Sequence, residues 1–210
     1  MFDVDTFVHA WLPEDENNSR VIWDDITELY SPISCFMDNP IPVNTNSDMI
    51  VPNASHPANF CTSMFYSIYK SNELLNDYSL FKETKYDFVI RSRFDLALNK
   101  IIDFSSLEKG VVYVSKDIEG PSLLNDQFAI ADPSTMNVYA STYTFLRRLY
   151  DSGVPLCGHE MLQEHLTRNG VRIEKIDINH PFEDGLYNRG RHSIVRDDMH
   201  KWVDPKIWGY

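Results

Sequence analysis

A chain of 210 residues, 43% apolar and 24% charged, with 8 Gly and 11 Pro, has the composition of one ordinary globular domain with a sizeable core, which excludes disordered, collagenous and repeat architectures. Its 19 basic and 31 acidic residues leave a formal charge of −12, whose field repels polyanions and argues against nonspecific nucleic-acid binding, while a small anion in a local basic pocket stays compatible with it. No apolar run approaches the roughly 18 residues needed to cross a bilayer, and the start Met1–Asp5 lacks a basic n-region and an apolar h-region, so a soluble, unexported, cytoplasmic protein is expected.

The run from Val4 to Trp11 is β-branched and aromatic and reads as a strand, followed by a polar stretch from Pro13 to Arg20. Ile22, Ile26 and Leu29 fall at helical spacing, and Ser31-Pro32 ends that short helix. From Ser31 to Asn59 the chain is dense in Pro, Asn, Ser and Asp, which predicts a long loop with one short strand around Ile33 to Met37. Thr62 or Ser63 is placed to cap a helix whose broad apolar face holds Met64, Phe65, Ile68, Tyr69, Leu75 and Tyr78. Tyr86 to Ile90 is an apolar run too short for a typical helix, and this buried strand delivers Arg91-Ser92-Arg93-Phe94-Asp95. Val111–Val114 and Gln127–Ala131 are further strands, separated by a loop with Gly120 and Pro121.

Asp132-Pro133 is a cap followed by Pro at the first helical position, opening a helix that runs to about Tyr150. Gly158 to Asn169 reads as a helix stopped by Gly170, and Val171 to Ile178 as a strand. This alternation predicts an α/β sandwich with a mixed sheet. Residues 1–180 then form one domain, and 181–210 an irregular tail draped over it.

Arg91, Arg93 and Asp95 stand where an apolar strand ends, the place where open α/β sheets bind ligands. Two guanidiniums can fork onto a diphosphate while a carboxylate holds a divalent cation; the same three residues also suit a salt-bridged strand end. Asp126, within Asn125-Asp126-Gln127-Phe128, can ligate a metal or accept a proton from an attacking hydroxyl, or simply form an Asx-turn that starts the strand. Glu160 in Gly158-His159-Glu160 suits a helix N-terminus.

His159 and His165, six residues apart, do not form a metal pair on one helical face. Trp11, Tyr66, Tyr69, Trp202 and Trp208 offer stacking surfaces for a base or sugar ring, or core packing, and Arg189, Arg191 and Arg196 an anion-closing tail or a solvated basic strip. Cys35, Cys61 and Cys157 fit neither a disulfide framework nor a zinc pattern and read as mostly buried thiols in a reducing compartment. The absence of a Gly-rich phosphate loop, a Gly-x-Ser-x-Gly elbow and Cys-x-x-Cys removes the main supports for hydride, P-loop and serine-hydrolase chemistries.

Phe7-Val8-His9-Ala10-Trp11, Ser63 to Asn72, Tyr86 to Leu96, Asn125-Asp126-Gln127-Phe128 and His159-Glu160, in that order, resemble glycosyltransferase-like proteins of bacteria and large viruses related to the WavE lipopolysaccharide-synthesis family. The resemblance implies a GT-A-like nucleotide-diphospho-sugar fold and transfer of a sugar from a nucleotide donor to a glycan hydroxyl. Asp95 would take the Mn²⁺ or Mg²⁺ ligand place, Arg91 and Arg93 would lie on the donor, Asp126 near the sugar or acceptor, and Glu160 would be a second acidic residue facing the cleft. The usual Asp-x-Asp signature stands here as Arg93-Phe94-Asp95, with a cation in place of one carboxylate. Relatives of this type begin with a strand, turn and helix ahead of the Phe-Val-His-Ala-Trp strand, so the domain is expected to be N-terminally incomplete. A noncatalytic carbohydrate- or nucleotide-binding module is the alternative, and a glycosidic-bond hydrolase pairing Asp95 with Asp126 a third.

Overall fold

The computed structural model describes residues 3–12, 16–41, 48–49, 58–94, 96–97, 101–116, 124–177 and 193–194. The first strand, β1 (Phe7–Trp11), leads through helix α1 (Glu16–Tyr30) to β2 (Ser34–Asp38), and the two strands pair in parallel with Phe7 opposite Ser34 and Trp11 opposite Asp38. The predicted short helix is therefore longer, but it stops where expected, at Tyr30 before Ser31-Pro32. The rest of the predicted loop, residues 42–47 and 50–57, lies outside the described residues.

Helix α2 (Ala58–Lys82) starts four or five residues ahead of the expected caps. Thr62 is inside it, its hydroxyl bonding back to the Ala58 carbonyl, because Asn59 and Thr62 continue the buried i, i+3 row of Phe65 and Ile68 into polar residue types. β1 runs antiparallel to α2: Phe7 at its start packs on Tyr78, and Trp11 at its end stacks on Tyr66.

After α2 come β3 (Val89–Ser92), a two-residue β4 (Leu96–Ala97), a 3-10 turn at Phe104–Ser106, β5 (Val111–Ser115) and β6 (Phe128–Ala131). Then follow α3 (Pro133–Ala140), α4 (Thr142–Asp151), α5 (Gly158–Arg168), β7 (Arg172–Ile176) and β8 (Ser193–Ile194). The main sheet has the order β3-β6-β5-β7, antiparallel except for the parallel β5–β7 pair, and β4 pairs with β8 separately. The architecture is mixed α/β, a mixed sheet flanked by helices. Apart from β8, the predicted tail 181–210 lies outside the described residues.

Period-2 alternation in two fully buried strands divides the core into two layers. Val112, Val114, Ala129 and Ala131 face Phe65, Ile68, Met136, Tyr139, Leu146, Leu162 and Leu166 from the helices. On the other face, Val111, Tyr113, Phe128 and Ile130 meet Phe88, Ile102, Phe104 and Leu107.

The helix expected from Pro133 to Tyr150 is broken at Ser141 into α3 and α4. Side chains compete with the backbone there: Ser141 Oγ bonds the Val138 carbonyl and Thr142 Oγ1 the Tyr139 carbonyl, each three residues back. α5 ends as expected near Gly170, whose φ of +67° suits glycine. The three thiols are free and largely covered, as expected.

Asp132 holds the start of α3. Its carboxylate accepts from the amides of Ser134 (3.0 Å) and Thr135 (3.2 Å), from both their hydroxyls, and from the amide of Gly110 (2.7 Å), which tethers the turn ahead of β5. Burial alone would raise its pKa, but these donors outweigh burial and hold it far below the ordinary carboxylate range. Asp132→Ala should cost about 2–4 kcal/mol in urea unfolding, from the lost cap and the stranded Gly110 amide. The depressed pKa also fixes a sign: this stabilisation is complete above the unfolded value near about 3.9 and drains away as pH falls below it. Wild type should therefore lose stability below about pH 4 more steeply than the variant.

Candidate active site

Antiparallel pairing of β3 with β6 sets Ser92 opposite Phe128 and Arg91 opposite Ala129. The end of one strand thereby meets the beginning of the other, and Arg91 and Arg93 come beside Asn125-Asp126-Gln127, more than thirty residues away in sequence. Arg91 is half-buried and donates through Nη1 to the Asp126 carbonyl; Arg93 is exposed at the strand end. The Asx-turn that opens β6 belongs to Asn125, whose Oδ1 accepts from the Gln127 amide at 2.7 Å. This frees the Asp126 side chain from that structural task.

Asp126 is 8% exposed, and its carboxylate rests against the first turn of α5. A Cβ at Gly158 would collide with Asp126 Oδ2, so the glycine permits the close approach. His159 Nδ1 lies 4.0 Å from Asp126 Oδ2 and donates to the Leu124 carbonyl at 2.5 Å. Beneath them the Tyr139 hydroxyl is fully buried without a hydrogen-bond partner. Burial pushes it up to about 12, with Arg91 opposing and Asp126 adding, so it stays a protonated phenol at neutral pH. Sequence reading assigned Tyr139 to a helix and nothing more; only its placement under Arg91 and Asp126 distinguishes it.

Arg91, Arg93, Asp126, Gln127, Cys157, Gly158 and His159 all line one large cleft of about 2350 Å³. Glu160 does not line it. One of its oxygens accepts from the Cys157 thiol and the other is buried without a partner. Burial pushes the neighbouring Cys61 thiol up to about 12, with the negative charge of Asp126, Cys157 and Glu160 adding, which makes it a poor nucleophile at neutral pH.

Asp95 and the tail arginines Arg189, Arg191 and Arg196 lie outside the described residues. Among the described residues no three His, Cys, Asp or Glu side chains gather so as to hold a metal ion.

Three of the five predicted stacking aromatics come together at the C-terminal ends of β1 and β2, while Trp202 and Trp208 lie outside the described residues. Trp11 and Tyr66 stack with centroids 5.4 Å apart and planes 25° apart, and Tyr143 adds edge contact to Tyr66 at 5.2 Å and a tilted contact to Tyr69 at 5.6 Å. The Tyr66 hydroxyl donates to Asp38 Oδ2 at 2.5 Å. A groove of about 640 Å³ beside them is lined by Trp11, Asp38, Tyr66, Tyr143 and Arg147, a size and a mix of ring faces and polar groups suited to a sugar ring.

Comparison of the chain with protein-family models, with curated proteins and with solved structures finds no match in any of the three. Among the described residues no helix is long and apolar enough to cross a membrane.

Proposed function

We infer that this chain is a GT-A-like glycosyltransferase that moves a sugar from a nucleotide-diphosphate donor to a hydroxyl of a glycan. The observation that carries this reading is the meeting of two arginines and a nearly buried carboxylate in one cleft at the end of β3. In the step proposed, the acceptor oxygen bonds to the anomeric carbon as its proton passes to Asp126. The bond from that carbon to the diphosphate breaks, and the electron pair leaves on a phosphate oxygen whose charge Arg91 and Arg93 neutralise. One nitrogen of Arg91 serves the Asp126 carbonyl, and a guanidinium carries five N–H donors, so the same group can position the base and face the leaving group. No step is routed through a divalent cation. Glu160, outside the cleft lining, is not the preferred base.

Calorimetry with UDP-, GDP- and dTDP-sugars, with and without Mn²⁺, run beside a donor-hydrolysis assay, tests the reading. Binding with turnover supports it; binding without turnover replaces it with a noncatalytic module; sugar release from an oligosaccharide with no nucleotide present points to a hydrolase.

Gly158→Ala is a sharper probe of the geometry. Nothing in the glycine's own backbone forbids alanine, and the second close neighbour, Met64 Cε at 3.0 Å, is the end of a flexible side chain. The Asp126 carboxylate is what must move. Turnover should fall by up to roughly 100-fold, as for about 1 Å of misplacement, while Tm stays within a few degrees.

A further inference from the structure

The transfer step leaves the groove at the C-terminal ends of β1 and β2 without a task. At about 640 Å³ it falls within the roughly 300–1,000 Å³ of ordinary ligand sites. It also adjoins the candidate active site. Trp11 lines both the groove and the large cleft, and Ser63, which lines the cleft, is a neighbour on the α2 surface of Tyr66, three residues on, which lines the groove. Met64, next to Ser63, is the residue that meets Gly158 beside Asp126. A run of sugar residues whose end lies at Asp126 can therefore cross Trp11 and continue into the groove.

The rings are set in place before any ligand arrives. Trp11, the last residue of β1, is held between the Tyr66 ring it stacks on and His9, which it meets at 4.8 Å with the planes at 86°. Tyr143 braces Tyr66 from α4. Trp11, Tyr66 and Tyr143 are half-buried, so each is fixed by packing and still carries accessible ring surface. Side chains with two torsions, already ordered, lose little entropy on binding, and an aromatic face is where the C–H side of a sugar ring packs.

The polar groups favour hydroxyls over anions. Asp38 accepts from the Tyr66 hydroxyl through Oδ2 and from the Asn39 amide through Oδ1 at 2.9 Å. A carboxylate has about four lone-pair sites, so each oxygen keeps room for a sugar hydroxyl. The bond to Asp38, more than burial, pushes Tyr66 up to about 12, which leaves Tyr66 the donor and Asp38 the acceptor at neutral pH. Burial pushes His9 down to about 4, so it brings no charge. Arg147 is already committed to Asp151 at 2.9 Å and to Asp48 at 2.6 Å, and Lys70, 5.9 Å from the Tyr66 ring, to Glu73 at 2.8 Å. An arriving phosphate or carboxylate would meet Asp38 with these cations spent, the reverse of the end that carries Arg91 and Arg93.

We propose that this groove is a saccharide subsite that holds a neutral sugar residue of the acceptor glycan, its ring against Trp11 and Tyr143 and its hydroxyls on Asp38, away from the reacting hydroxyl. The acceptor role rests on the transfer reading above, whereas recognition of the saccharide itself needs neither donor nor turnover.

The test is an NMR titration of the full chain with maltose, cellobiose, lactose and mannobiose, no nucleotide present, following the indole N–H signal of Trp11. At least one of these neutral disaccharides should shift that signal, and a saturating amount of UDP should not displace it. By calorimetry, Trp11→Ala should weaken the same disaccharide at least roughly tenfold and Asp38→Asn at least roughly threefold, while Arg93→Ala leaves its affinity unchanged. Asp38→Asn is near-isosteric and decides the matter if Trp11→Ala fails to fold. No shift with any of the four disaccharides, or wild-type affinity in Asp38→Asn, would overturn the proposal. Displacement by UDP would do so too, since the groove would then hold the nucleoside. Donor hydrolysis measured beside the titration keeps the two readings apart: hydrolysis without saccharide binding removes the subsite alone, and saccharide binding lost in the variants without any hydrolysis keeps the saccharide groove and removes the transfer.

Discussion

Asp126→Asn should lower sugar transfer by at least roughly 100-fold while nucleotide-diphosphate binding and Tm stay close to wild type. The substitution is isosteric and leaves untouched the backbone carbonyl that Arg91 holds, so the junction between β3 and β6 persists. What disappears is the proton acceptor. The side chain lies nearly buried against Gly158 with His159 Nδ1 4.0 Å away, which leaves few other groups placed to take a proton from an acceptor in the cleft. Glu160→Gln is the informative companion: its carboxylate lies outside the cleft lining beside Cys157, so transfer should change little. A wild-type rate for Asp126→Asn, or a larger loss for Glu160→Gln, would take Asp126 out of the mechanism.

The parts legible in the sequence are those where local chemistry and tertiary demand coincide. Asp132-Pro133 opens a helix for reasons contained in four residues, and Val111–Val114 and Phe128–Ala131 carry apolar side chains on both faces because both are covered. The start of α2 was not legible because Asn59 and Thr62 look like cap or loop residues and become helical only through burial. The break at Ser141 depends on hydroxyls choosing carbonyls three residues back, which competes closely with an unbroken helix.

The candidate site divides in the same way. The end of an apolar strand marks Arg91 and Arg93 as candidates for a ligand site, and that much is local. Their meeting with Asp126 needs the β3–β6 register, a pairing of residues nearly forty positions apart that no local pattern encodes. The sequence places Gly158 at the start of a helix but gives no reason for the glycine, since that reason is the carboxylate pressed against it from another segment.

Arg93→Ala should weaken binding of a nucleotide diphosphate by roughly 10- to 100-fold and binding of the free sugar hardly at all, because hydrogen bonds between charged groups are worth about 1.5–3 kcal/mol and the diphosphate alone carries the matching charge. Arg93 is the better arginine to remove. Arg91→Ala would also strip the donor from the Asp126 carbonyl in a half-buried position, and leaving that backbone acceptor unsatisfied, at a cost of about 1–3 kcal/mol, would mix stability and positioning into the binding result. Arg93 is exposed, where a charged contact contributes little to stability, so its removal should leave Tm near wild type. Titration of UDP, UDP-sugar and free sugar at two salt concentrations separates the outcomes. A charge contact makes the Arg93 effect shrink as salt rises. Equal losses for nucleotide and free sugar, independent of salt, would place Arg93 away from the diphosphate and return the cluster to a strand-end ion pair.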